Sequence, residues 1–254
     1  MHESEVDTYP RWPRQGQVIG WWSAGVTSAV AIKMALDSGL RVVPIYFDTG
    51  SSHPDNARFL ADCERWYGTQ IITFKHPRYT DVMDVVRKER YLNGPSGAKC
   101  TGVLKKEVRQ AIERWMPYDA QIFGFEFEKK EMARAVRFVE QYPTAKATFP
   151  LIDRQLTKAN CLYLLESAGI AKPAMYTQGY HNNNCIGCVK GGMGYWNKIR
   201  VDYPAVFDEM AKAERDIGHS CIKGVYLDTL ESDRGHYPTE ITPECGVFCP
   251  VEEP

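Results

Sequence analysis

A chain of 254 residues is long enough for one large domain, or for a domain with a substantial appendage. Its 44% hydrophobic and 25% charged residues suit a folded globular protein, and a formal net charge of −1 supplies no global basic field for nucleic acid. No apolar run has transmembrane length, and Met1-His-Glu-Ser-Glu-Val-Asp7 lacks the basic and apolar stretches of a secretory signal, so a cytoplasmic protein without membrane contact is expected.

After an N-terminal extension over 1–16, Val18-Ile-Gly-Trp-Trp22 reads as a buried strand. The turn Ser23-Ala-Gly-Val-Thr-Ser28 follows, then a helix from Ala29 to Leu40 and a second strand, Val42-Val-Pro-Ile-Tyr-Phe47. Asn56 to Tyr67 has helical periodicity, and Gln70 to Phe74 reads as a third strand. Helices are predicted over Asp81–Glu89 and Thr101–Trp115, a strand over Ala120–Gly124, and further helices over Glu128–Gln141 and Thr157–Ala168. Strands alternating with helices imply a doubly wound α/β domain with a parallel sheet, spanning 17–171. Such sheets bind ligands at the carboxyl ends of their strands, which points to the loops after Trp22, Phe47 and Gly124. From 172 to 254 the alternation stops, and the composition suggests a Cys-rich cap completing the site. No internal repeat or low-complexity tract is visible.

The first chemical motif is the strand–helix turn. Small residues at Ala24 and Gly25 let the backbone approach an oxyanion, and the amides of Val26, Thr27 and Ser28 open a helix whose dipole favours negative charge. Ser23, Thr27 and Ser28 add hydroxyls. The Walker combination of a Gly-rich loop with Gly-Lys-Ser/Thr is absent.

The turn resembles the Ser-Gly-Gly-X-Asp-Ser loop of PP-loop ATP pyrophosphatases, with Ala24 for Gly and Thr27 for Asp. Tyr46-Phe-Asp-Thr-Gly50, with His53-Pro-Asp55 behind it, is similar to the Asp-Thr-Gly segment of the phosphoadenylylsulfate (PAPS) reductase family. Lys99-Cys-Thr-Gly-Val-Leu-Lys105 resembles its Cys-Thr-X-X-Leu-Lys segment. Gly124 through Arg134 resembles a Gly-X-Arg block in which Phe125-Glu-Phe127 lacks the arginine. Phe149-Pro-Leu-Ile-Asp153, Gly169-Ile-Ala-Lys-Pro173 and Tyr176 fit the next block, so the likeness runs collinearly from about 17 to 190. The resemblance implies the adenine nucleotide alpha-hydrolase fold, a Rossmann-like sheet. It also implies that Ser23 to Ser28, Asp48, Thr49, Gly50, Gly124 and Arg134 hold an adenine nucleotide. In it Asp48 would lie near the ribose or a metal, and Gly124 would let the backbone pack on the adenine.

Eight cysteines are many for a reducing compartment and point to metal or redox chemistry: Cys63, Cys100, Cys161, Cys185, Cys188, Cys221, Cys245 and Cys249. Cys63 and Cys161 fall inside helical patterns and read as small buried hydrophobes, whereas Cys221 fits neither class. Cys185-Ile-Gly-Cys188 can present two thiolates to one metal. Cys100 corresponds to a cluster-ligand position in related iron–sulfur enzymes. Three arrangements stand: a [4Fe–4S] cluster on Cys100, Cys185 and Cys188 with Cys245 or Cys249, a Zn²⁺ on Cys185, Cys188, Cys245 and Cys249, or no metal at all, as a free dithiol or plain buried cysteines. Glu244-Cys-Gly246 also resembles the tail that carries the nucleophilic cysteine of phosphosulfate reductases, although Phe248 replaces the family's histidine.

Lys190 to Arg200 interleaves Tyr195 and Trp196 with Lys198 and Arg200. We read it as a Gly-rich loop entering a helix whose aromatics cap the core, in preference to a base-stacking patch. Lys105, Lys106 and Arg109 read as solvated helix residues.

Three functions follow. The first is an enzyme that binds ATP with Mg²⁺, cleaves at the α-phosphate and adenylates an acceptor for sulfur or nitrogen transfer. Asp48 and Ser28 would be catalytic residues, with a nucleic-acid acceptor or a sulfur-donor protein as partner. The alternative is a reductase of PAPS or adenylylsulfate (APS), with Cys245 as nucleophile and a thioredoxin-like reductant. The third is a non-catalytic nucleotide- or metal-binding subunit of a modification complex.

Overall fold

The computed structural model describes residues 17–94 and 97–240. Five parallel strands form one sheet in the order β3-β2-β1-β4-β5, comprising β1 (Val18–Trp22), β2 (Val42–Phe47), β3 (Ile72–Phe74), β4 (Ala120–Ile122) and β5 (Ala147–Thr148). The chain first winds outward from β1 to β3, then returns to the other side of β1 with β4. The topological switch therefore lies between β1 and β4, where the expected doubly wound α/β fold places its ligands.

The helices begin where sequence chemistry starts them. The longer ones among the described residues are α1 (Val26–Asp37), α2 (Asn56–Tyr67), α3 (Val82–Glu89), α4 (Val108–Trp115), α5 (Lys129–Gln141), α6 (Lys158–Ser167), α7 (Met193–Asp202) and α8 (Pro204–Ile217). Asp81 caps α3 by accepting from the Asp84 amide at 2.8 Å, and Thr157 caps α6 in a box with Asn160. The helix predicted over Thr101–Trp115 is not uniform. A short α turn at Lys99–Thr101 passes into a π-helical stretch, Gly102–Glu107, before α4 begins. β5 escaped the periodicity because two residues carry no alternation.

The described chain divides into two compact units. The first holds 17–47, 54–74 and 107–179, including the whole sheet. Its core packs Trp22 between Tyr46 (edge-on, 5.0 Å) and Phe59 (stacked, 5.6 Å). A buried amide crosses the switch: Trp21 Nε1 donates to Gln121 Oε1 at 2.6 Å, and Gln121 Nε2 donates to Glu113 and to the Ala145 carbonyl. Every polar end of that fully buried glutamine is thus engaged, as burial demands. Arg109 is a correction. It is only 5% exposed and pairs with Glu113 Oε2 at 2.7 Å, so it is not a solvated residue.

The second unit holds 48–53, 75–106 and the residues from 180 onward. Its largest pair is α7 and α8, joined through Tyr203, with Trp196 fully buried and packed edge-on to Phe207 at 6.3 Å. Among the described residues, Cys100, Cys185, Cys188 and Cys221 fall here.

Candidate functional site

In the first unit, the turn after β1 is shaped by backbone conformation and by one hydroxyl. Ala24 is fully buried with φ +61, a left-handed position that costs an alanine about 1–2 kcal/mol. Glycine takes that conformation without strain, which explains why the loop it resembles carries glycine there. Ser28 Oγ donates to the Gly25 carbonyl at 2.9 Å, accepts from the Ser23 amide at 3.1 Å and lies 3.0 Å from Ser23 Oγ. One side chain therefore ties both ends of the turn together. Gly25, the N-cap of α1, brings no capping side chain, and no acidic residue stands in the first helical turn. The Val26 amide reaches the Tyr176 hydroxyl at 3.5 Å. A helix start of this kind, on a 12-residue helix, suits an anionic group.

Gly124 closes the same turn. A Cβ added there would stand 2.5 Å from both the Ser28 nitrogen and its Cα. The β4 loop thus lies directly on the backbone of α1's first turn. Arg134, expected at the nucleotide, pairs with Glu131 Oε2 at 3.1 Å and stacks over the Phe125 ring at 4.2 Å. Phe125 in turn stacks on Phe149 at 5.2 Å. The segment that lacks the usual arginine is therefore packed as an aromatic cluster.

In the second unit, Asp48 Oδ1 accepts from the Gly50 amide at 2.9 Å and Oδ2 pairs with Lys75 Nζ at 2.9 Å. Gly50 has φ +69, and a Cβ there would fall 1.9 Å from the Thr80 carbonyl, so only glycine fits. Thr49, 3% exposed, places its Oγ1 3.0 Å from Cys185 Sγ, and the Ile186 amide donates to the Ser51 carbonyl at 2.9 Å. The Asp-Thr-Gly segment and the Cys185–Cys188 turn are thus hydrogen-bonded to each other. Sequence reading placed Thr49 at a nucleotide and did not connect it with Cys185.

Tyr195 and Trp196 are 2% and 0% exposed, as expected of core-capping aromatics and not of a base-stacking surface. The Tyr195 hydroxyl accepts from the Cys188 amide at 2.9 Å and donates to the Cys185 carbonyl at 3.2 Å. Glu240 Oε2 accepts from the Tyr195 amide at 2.7 Å, which satisfies the start of α7.

The remaining thiols are separated by environment. Cys63 and Cys161 are fully buried, and burial pushes both thiols up to about 12, consistent with small core residues. Cys221 is pushed well above the ordinary thiol value, first by burial and then by the Glu214 carboxylate. Among the described residues, no group of three or more His, Cys, Asp or Glu side chains could hold a metal. Cys245 and Cys249, the other proposed ligands, and Glu244 and Phe248 lie outside the described residues.

The sequence model of the phosphoadenosine phosphosulfate reductase domain matches residues 17–191, well over half of the chain. The chain belongs to that family. The match contains the turn at Ser23–Ser28, Asp48, Gly124 and the Cys185–Cys188 turn. A search of curated proteins found no match. Among solved structures, the phosphate complex of phosphoadenylyl-sulfate (PAPS) reductase from Candida auris is similar at 13% identity and a TM-score of 0.49. That alignment covers 71% of this chain and 83% of that one. No described helix of this family member is long and apolar enough to cross a membrane.

Proposed function

We propose that the protein is a cytoplasmic sulfonucleotide reductase. The observation that carries this is the family match over 17–191, which includes a turn whose helix-start amides suit the phosphate or sulfate of an adenine nucleotide. In this reaction the Cys245 thiolate attacks the sulfur of APS or PAPS. The S–O bond to the phosphate breaks, and AMP or its 3′-phosphorylated form leaves. A second thiol then attacks the S-sulfonate, sulfite departs and a disulfide remains. Two thiols are oxidised while sulfate sulfur is reduced to sulfite. A thioredoxin-like dithiol then reduces that disulfide and restores the thiols. Ser23 to Ser28 hold and orient the anion, with Ser28 keeping the turn closed. No step requires a cluster, zinc or Mg²⁺.

The second reading is ATP-dependent adenylation of a nucleic-acid or other acceptor, with Mg²⁺. The uncapped start of α1 favours it, because the same amides could stabilise a leaving pyrophosphate.

Anaerobic protein incubated with APS, PAPS or ATP and a dithiol separates these. Sulfite from a sulfonucleotide, lost in Cys245→Ser, is the expected result. Pyrophosphate from ATP with no sulfite would replace the reductase with the adenylating enzyme. Nucleotide binding without turnover would leave a non-catalytic subunit.

A further inference from the structure

We infer that Cys185 and Cys188 form a two-electron dithiol–disulfide couple, seated by the Tyr195 hydroxyl and oriented at Cys185 by the Thr49 hydroxyl. The two cysteines bracket a tight turn in which Gly187 takes φ +73. One buried hydroxyl grips both ends of that turn, accepting from the Cys188 amide and donating to the Cys185 carbonyl. The grip is itself rigid. Tyr195 stands in the first turn of α7, its amide held by Glu240, and its ring lies where a Cβ at Gly191 would otherwise be, 2.0 Å from its Cδ1.

The two thiols are not equivalent. Cys185 Sγ has the Thr49 hydroxyl 3.0 Å away, a donor able to stabilise a thiolate. Cys185 is therefore the attacking sulfur and Cys188 the resolving one. Cys221, whose thiol hydrogen-bonds to the Glu214 carboxylate, lies near enough to Cys188 and Cys100 to feel their charge.

The exchange balances without a metal. Cys185 attacks one sulfur of a disulfide, such as glutathione disulfide, and a thiolate leaves. Cys188 then attacks the mixed disulfide, closing the Cys185–Cys188 bond and releasing the second thiolate. This rests in part on the reductase proposal, since the same attack on a Cys245 S-sulfonate would expel sulfite. A dithiol reductant must then reopen the pair.

The test uses the full chain without nucleotide. It is equilibrated in glutathione redox buffers, quenched in acid, alkylated and peptide-mapped, with iron, sulfide and zinc measured on the same anaerobic preparation. One two-electron transition joining Cys185 to Cys188 is expected. Tyr195→Phe should lower the equilibrium constant for closing the bond about tenfold, a rise of about 30 mV, with the melting transition still cooperative. Thr49→Val should slow the reaction with glutathione disulfide at least fivefold, and Thr49→Ser should restore it. Should Tyr195→Phe fail to fold, the threonine pair decides. Stoichiometric metal bound through these cysteines, pairing of either with another cysteine, or unchanged behaviour in the variants that fold would overturn the inference. Sulfite release with the pair never closing removes this inference alone. A couple without sulfite release removes the reductase proposal alone.

Discussion

Gly124 stands so close to Ser28 that a single methyl group would collide with the helix backbone, at 2.5 Å from the Ser28 nitrogen. Backbone cannot rotate away as a side chain end can, so α1 or the β4 loop must move. Gly124→Ala should cost about 1–3 kcal/mol by overpacking. It should also weaken adenine-nucleotide binding at least tenfold, because the displaced amides are those of the proposed anion site. Thermal melts and calorimetric titration with AMP check both parts, and full-strength binding would remove Gly124 from the site.

Ser28 makes its contribution through three contacts that bind Ser23 to Gly25. Ser28→Ala leaves the Ser23 amide without that acceptor in a part-buried turn. The expected loss is about 1–2 kcal/mol, with faster hydrogen exchange at the Ser23 amide. Unaltered exchange there would mean that the hydroxyl does not hold the turn.

Ala24 invites the opposite substitution. Relief of left-handed strain favours Ala24→Gly by about 1–2 kcal/mol. Loss of a buried methyl costs about 0.8 kcal/mol, and the freer unfolded chain costs about 0.5–1 kcal/mol. These nearly cancel, so stability should change by less than about 1 kcal/mol. Ala24→Val, with a branched side chain at φ +61, should lose more than about 2 kcal/mol. Denaturant melts compare the two.

Glu214 is fully buried, and its carboxylate accepts from the Cys221 and Leu227 amides at 2.6 Å each. Burial, the largest cause, raises its pKa above 4.5 despite those donors. A raised carboxyl binds its proton more tightly in the folded state. Its contribution is therefore fully present below the unfolded value and is lost as pH rises through the folded one. Glu214→Gln should abolish that slope. It should also cost about 1–3 kcal/mol at neutral pH, because the new amide group turns a donor toward one of two buried N–H groups. Urea melts from pH 4 to 7 for both proteins measure the difference.

Native alkylation should sort the cysteines. Cys63 and Cys161, pushed up to about 12 by burial, and Cys221, held up by burial and by Glu214, should resist iodoacetamide at pH 8. Cys100, Cys185 and Cys188 are partly exposed and should react first. Mass spectrometry of timed quenches gives the order, and early labelling of Cys221 would contradict its buried seat.

Much of the architecture was legible locally. Buried strands such as Val18–Trp22 are continuous apolar runs, amphipathic helices such as Asn56–Tyr67 repeat on one face, and capping residues such as Asp81 and Thr157 announce helix starts. These signals lie within a few residues of one another, and so does the turn Ser23–Ser28, whose chemistry comes from adjacent backbone amides. The collinear motifs then placed the chain in its family.

What local sequence could not decide is pairing across distance. Nothing in the composition near Thr49 reveals that its hydroxyl meets a sulfur 136 residues later, or that Tyr195 grips the ends of the Cys185–Cys188 turn. Arg109 looks like a surface cation until Glu113 and its burial are seen together. Gly124 looks like any turn glycine until the backbone of Ser28 fills the space of its missing Cβ. Periodicity reports which face of an element avoids water. Only packing decides which partner meets that face, because a hydrogen bond or a steric collision depends on separations of a few ångströms that chain order does not encode.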